Sequence, residues 1–177
     1  MHPELNSVLA RINAADAALT VRINRANRSR YVQRFFNVVS RLGDGVFWYG
    51  LMALLLLQYH EAALKPVLHM IVVGLIGFAL YKWLKRKTLR PRPCELHPTI
   101  LRGTTPLDEF SFPSGHTLHA VTFSVVALAY YPWLAPLLVP FVVLVALSRV
   151  VLGLHYPTDV LAGAAIGYGL ASLSLLI

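Results

Sequence analysis

The chain has 177 residues, 56% of them hydrophobic, with a mean hydropathy of +0.59 and a formal net charge of +8. That is about one domain's length, and such apolarity calls for lipid rather than water around it. A single cysteine, Cys94, excludes an internal disulfide and a thiolate metal site, while basic residues set beside apolar runs argue against nucleic acid and for anionic headgroups or phosphorylated substrates.

Residues 1–25 mix Arg11, Asp16, Arg22 and Arg25 into apolar positions and lack the clean hydrophobic segment of a cleavable signal peptide. Leu5, Val8, Leu9, Ile12, Ala15 and Leu19 recur near helical spacing, which predicts an amphipathic helix lying at the membrane interface. Residues 26–45 set Arg28, Arg30, Arg34 and Arg41 among Tyr31, Phe35, Phe36 and Val39 and end at Gly43-Asp44-Gly45, the pattern of a second interfacial helix and a turn. Residues 1–45 are thus expected to be an interfacial N-terminal region and 46–177 a transmembrane domain, all within one unit.

Five apolar stretches follow: Val46–Leu64, Val67–Trp83, Thr117–Tyr131, Ala135–Leu154 and Thr158–Ile177. The fold class is therefore all-α, an integral-membrane bundle of about five transmembrane helices. Residues 84–115 hold Pro91, Pro93, Pro98, Pro106 and Pro113 and read as a loop. Short connections make neighbouring spans antiparallel, so the ends of spans two and four and the starts of spans three and five share one face.

Three polar clusters fall on that face. Lys85 precedes Arg92-Pro93 by six residues, pairing a mobile point charge with a planar fork, both suited to phosphate oxygens. Taken alone, a basic membrane anchor explains them as well, since Lys82, Arg86, Lys87 and Arg90 crowd the same place. Pro113-Ser114-Gly115-His116 stands where the loop enters span three, and a helix start offers free N–H groups to an anion; Ser114 also reads as a plain N-cap. Ser148-Arg149, then His155, then Asp159 complete the set. With Pro157 in the first turn of span five, His155 and Asp159 lie one turn apart, so the carboxylate can take one imidazole proton and leave the other nitrogen free to attack phosphorus.

In order and spacing these clusters resemble the signature of the type 2 phosphatidic acid phosphatase superfamily: Lys-x6-Arg-Pro, Pro-Ser-Gly-His and Ser-Arg-x5-His-x3-Asp, matched at every position. The likeness spans roughly residues 43–177. It implies a lipid phosphatase that uses no metal or cofactor, with His155 as nucleophile, Asp159 behind it, and His116 as the acid that protonates the leaving oxygen and then activates water. By the same likeness Lys85, Arg92, Arg149, Ser114 and Gly115 bind the phosphate. Undecaprenyl diphosphate, phosphatidic acid and phosphatidylglycerol phosphate are all candidate substrates, because the motifs recognise phosphate and not the lipid.

Three other readings stay open at this point. A phosphotransferase shares the intermediate, a non-catalytic phospholipid-binding scaffold or transporter shares the basic face, and a vanadate haloperoxidase shares the pocket but is characteristically soluble and larger. The resemblance implies a bacterial plasma-membrane protein with an extracytoplasmic site. The seven arginines of residues 1–44 and the seven basic residues of 82–102 point the other way by the positive-inside rule. His119 reads chiefly as a packed histidine, with a second acid or a metal ligand as the alternative; His60, His69, His97 and Cys94 match no site. Gly163 and Gly167 form a small-x-x-x-small stripe that serves either packing within the chain or a homodimer.

Overall fold

The computed structural model describes residues 3–106 and 108–177. Eight α-helices follow one another: α1 (Pro3–Asn24), α2 (Arg30–Arg41), α3 (Phe47–Tyr59), α4 (Leu64–Thr88), α5 (Pro93–Leu96), α6 (Gly115–Tyr130), α7 (Ala135–Val151) and α8 (Pro157–Ser174). No strand occurs among the described residues.

Helix α6 is the axis of the bundle, packed by α4, α7 and α8. Its Leu118, Ala120, Val126 and Ala127 are fully buried, so it carries apolar or small residues around most of its circumference. The approach of α8 depends on two glycines. A Cβ at Gly163 would stand 2.5 Å from the Ser114 carbonyl oxygen, and one at Gly167 would stand 2.5 Å from that of Leu118. The small-residue stripe is therefore used inside the chain, backbone against backbone.

Leu54 and Leu57 on α3, Leu68 and Leu75 on α4, Val139 and Val143 on α7, and Leu161 and Leu173 on α8 all face outward. An apolar surface spread over four helices belongs in lipid. Among the described residues, two helical stretches are long and apolar enough to cross a membrane by length and composition: Arg30–Leu96, which runs from α2 through α5, and Pro132–Val151, which is α7 with its lead-in turn. The expected count of five goes beyond that criterion.

The break between the first two predicted spans falls at His60–Ala63 rather than between Leu64 and Val67. Pro66 sits in the first turn of α4, where a missing N–H costs nothing. Helix α4 also runs five residues past Trp83, carrying Lys85 on regular helix.

On α1, Val8, Ile12 and Leu19 of the predicted apolar stripe are exposed, and so are Arg11, Asn13 and Arg22; the side chains of Leu5 and Leu9 lie outside the described residues. Three of its polar side chains turn inward. Asp16, Thr20 and Asn24 are buried, and the Asn24 Nδ2 donates to the carbonyls of Leu101 (2.9 Å) and Val151 (2.8 Å) while its Oδ1 accepts from the Leu101 N–H (2.8 Å). Polar side chains thus dock α1 on the loop that carries Arg92 and on the end of α7.

Candidate active site

The turn from α7 to α8 is wound by the Arg149 carbonyl, which accepts from the N–H groups of Leu154 and His155 at 3.1 Å each. Gly153 has φ +73°, and a Cβ there would meet Leu101 O at 2.8 Å, so the turn requires glycine. Helix α8 then starts at Pro157, and Asp159 Oδ2 caps it by accepting from the Tyr156 N–H at 2.8 Å.

His155, 1% exposed, is held at the end of this turn. Its Nδ1 lies 2.6 Å from the Ser111 carbonyl. A carbonyl only accepts, so Nδ1 bears the proton and Nε2 keeps its lone pair. The expected partner, Asp159, stands 3.7 Å from Nδ1, outside hydrogen-bond distance. Its oxygens are engaged elsewhere, on the Tyr156 N–H and on Arg90 at 2.5 Å.

Arg92 reaches the free side of the imidazole, with Nη1 at 3.4 Å from His155 Nε2 and 2.7 Å from the Leu154 carbonyl. Lys85 Nζ donates to the Phe110 carbonyl at 2.9 Å. Both cations also contact a single oxygen, Asp108 Oδ1, each at 2.6 Å. Arg149 is buried, with Nη1 on Ser40 Oγ and its Nε without a protein partner. His116 Nε2 lies 3.4 Å from Asp44 Oδ1.

Lys85, Arg92, Gly115, His116, Arg149 and His155 line one cavity of about 420 Å³. The same cavity has an apolar lining from Trp48, Met52, Ile71, Leu75, Phe78 and Phe123 of α3, α4 and α6. Ser114 is not on the wall. Its Oγ pairs with Thr117 Oγ1 at 3.0 Å, so the seryl side chain shapes the start of α6, while Gly115 faces the cavity. His119 also lines the cavity, with Nδ1 3.0 Å from the Gly115 carbonyl and its ring stacked on Phe123.

Burial first, and then the charges of Arg149, Arg92 and Lys85, hold the His155 imidazole well below its ordinary value of 6.5, against the Ser111 bond. Burial would raise the Asp108 carboxyl, but the hydrogen bond and charge of Lys85 together with Arg92 outweigh it and hold it below the usual range. At neutral pH the site therefore pairs a neutral imidazole with an ionised Asp108.

Four contributors are not apparent in the sequence. Asp108 bridges two of the cations, Asp44 faces His116, and Ser111 supplies the carbonyl behind His155. Arg90 joins two buried carboxylates, Asp159 at 2.5 Å and Asp16 of α1 at 2.7 Å, and lies over the Tyr156 ring at 4.2 Å. Arg90-Pro91 and Arg92-Pro93 thus divide the work, the second arginine facing the cavity and the first bracing the start of α8. Asp108-Glu109 is an acidic pair in a loop whose one other acid is Glu95, a signal that marks the pair without saying which of the two meets the cations.

A family model described as the PAP2 superfamily matches residues 62–177. The chain is similar to LpxE of Aquifex aeolicus, with 29% identity and a TM-score of 0.78 over 90% of this chain and 94% of that one. It is likewise similar to a transmembrane PAP2 type phosphatidylglycerolphosphate phosphatase from Bacillus subtilis, at 26% identity and a TM-score of 0.72 over 93% and 85% of the two chains. The undecaprenyl-diphosphatase of Sulfolobus acidocaldarius is 33% identical over 141 residues, 78% of this chain and 67% of that protein.

Proposed function

Because the chain belongs to the PAP2 superfamily and is a membrane lipid phosphatase of that family, we propose that it hydrolyses a lipid phosphomonoester or diphosphate through a phosphohistidine on His155. The observation that carries this reading is the shape of one cavity. An unprotonated imidazole nitrogen and three cations line it together with an apolar wall drawn from α3, α4 and α6. A lipid phosphate has the same two halves.

In the first step the His155 Nε2 lone pair attacks phosphorus, the bond to the lipid oxygen breaks, and His116 gives that oxygen its proton. In the second, His116 takes a proton from water, the water oxygen attacks phosphorus, and the P–N bond breaks to free phosphate. Lys85, Arg92 and Arg149 hold the non-bridging oxygens, with the Gly115 N–H beside them. Charge-assisted bonds of this kind contribute about 1.5–3 kcal/mol each, and they count most where charge moves in the transition state. The imidazolium formed at His155 is stabilised by the Ser111 carbonyl directly and by Asp159 at longer range.

The same reading makes α3, α4, α6, α7 and α8 the five spans of a phosphatase domain over residues 46–177. Residues 1–45 then lie at the interface, the exposed Val8, Ile12 and Leu19 in lipid. Gly163 and Gly167 are spent on α6, so that stripe is not left for a second copy. An extracytoplasmic site is what the family resemblance implies; Lys85, Arg90 and Arg92 have places in or beside the site, while the seven arginines of residues 1–44 still count toward a cytoplasmic face.

The test is phosphate release from a panel of mono- and diphosphate lipids in detergent with chelator present, comparing wild type with His155→Ala. Release by wild type alone is expected. Release by the alanine variant, or a strict metal requirement, would overturn the mechanism.

A further inference from the structure

We propose that the Asp108 carboxylate is a built-in counterion that occupies the oxyanion position of the substrate phosphate and weakens the site for free phosphate. This rests on the reading of the cavity as a phosphate site.

Asp108 Oδ1 alone touches both Lys85 Nζ and Arg92 Nη2, at 2.6 Å each, as one non-bridging phosphate oxygen would. The cations do not need that oxygen for their positions. Arg92 is also held by the carbonyls of Asp108 (Nε at 3.1 Å, Nη2 at 3.0 Å) and Leu154 (2.7 Å), and Lys85 by the carbonyl of Phe110 (2.9 Å). Backbone oxygens therefore do the positioning, whatever side chain stands at 108. What the carboxylate adds is negative charge on the cavity wall, on a side chain that is one-third exposed and carried by an irregular loop.

An arriving phosphoryl group competes with that carboxylate for both cations. A lipid phosphate brings the burial of its chain to the contest, whereas inorganic phosphate brings only its charge. Asp108 thus selects for phosphate attached to an apolar body and helps the freed product leave. Two unit charges about 4 Å apart interact by ~1 kcal/mol even at the dielectric of water, so removing the carboxylate should tighten free-anion binding by about fivefold or more.

The experiment uses the full chain in detergent and compares wild type, Asp108→Asn, Asp108→Ser and Glu109→Gln. Inhibition by inorganic phosphate, thermal stabilisation by inorganic phosphate, and kcat and KM on a lipid phosphate are read for each. Asp108→Asn and Asp108→Ser should bind and be inhibited by phosphate at least fivefold more tightly, with kcat lowered where product release limits turnover. Glu109→Gln makes the same charge change on an exposed neighbour and should behave as wild type. Weaker phosphate binding in both Asp108 variants while wild type remains active, or an equal gain in Glu109→Gln, would overturn the counterion role alone. A wild type that neither binds phosphate nor releases it from any lipid would instead defeat the phosphate-site reading beneath it.

Discussion

Gly163 of α8 lies against the backbone of Ser114 at the head of α6, where a Cβ would come within 2.5 Å of the carbonyl oxygen. The Ser114 N–H donates to the Asp159 carbonyl at 3.0 Å across the same junction. The two helix starts that carry His116 and His155 are thereby fixed to one another through main chain. Gly163→Ala should cost about 1–3 kcal/mol from overpacking and lower turnover as the two starts are forced apart. Thermal unfolding and phosphate release in detergent check this, with Gly169→Ala, which has open space around it, as the control expected to match wild type.

Arg90 neutralises two carboxylates whose side chains are 2% and 0% exposed, those of Asp16 and Asp159. Removing one partner of such a group leaves charge buried and unpaired, at a cost of about 3–5 kcal/mol. Arg90→Gln should therefore lower both the unfolding temperature and kcat. Arg90→Lys should recover part of the stability, because a point charge replaces a fork that spans both acids. An Arg90→Gln protein as stable as wild type would contradict the bracing role.

Much of this site is legible in the amino-acid sequence. Lys85, Arg92, His116, Arg149 and His155 stand at fixed short spacings beside span ends, so antiparallel helices bring them together. Asp108, Ser111 and Arg90 are not legible there, because they lie in a proline-rich loop with no period to read, and their partners lie 16 to 74 residues away. Spacing places Asp159 one turn from His155 but cannot say that its oxygens cap α8 and meet Arg90. Helix α1 shows the same limit. Periodicity marks its apolar positions and cannot say that Asp16 and Asn24 dock inward.

The depressed pKa of His155 has a kinetic sign. A lowered value means that the imidazole stays neutral, and hence nucleophilic, as pH falls through its ordinary 6.5. The acid limb that His155 imposes on kcat/KM should therefore lie below pH 6.5, with activity lost only as the pH passes through the lowered value. A pH profile on a substrate held in one ionisation state checks this; a limb at or above 6.5 assigned to His155 would contradict the electrostatic account of its pocket.

Cys94 follows Pro93 on α5 and is half-buried beside the site. As the sole thiol it reports the side of the membrane on which the loop lies. An extracytoplasmic site predicts labelling by an impermeant maleimide in intact spheroplasts, equal to that in lysed ones. Labelling only after lysis, with a permeant maleimide reacting in both, would place the site in the cytoplasm.

His116 should matter to a different degree from His155. General acid–base catalysis is worth about 10²–10⁴-fold, so His116→Ala should retain a trace of activity, more on a substrate with a good leaving group than on a lipid alcohol. Equal losses on both substrates would contradict its role as the acid.

The central claim is that phosphorus becomes bonded to His155, and the most direct measurement is to trap that bond. Enzyme mixed with a lipid phosphate, quenched in alkali and digested should yield the peptide holding His155 with one added phosphoryl group, acid-labile and absent from His155→Ala. A phosphoryl group on another residue, or none while wild type turns over at full rate and the adduct is demonstrably stable to the work-up, would contradict it.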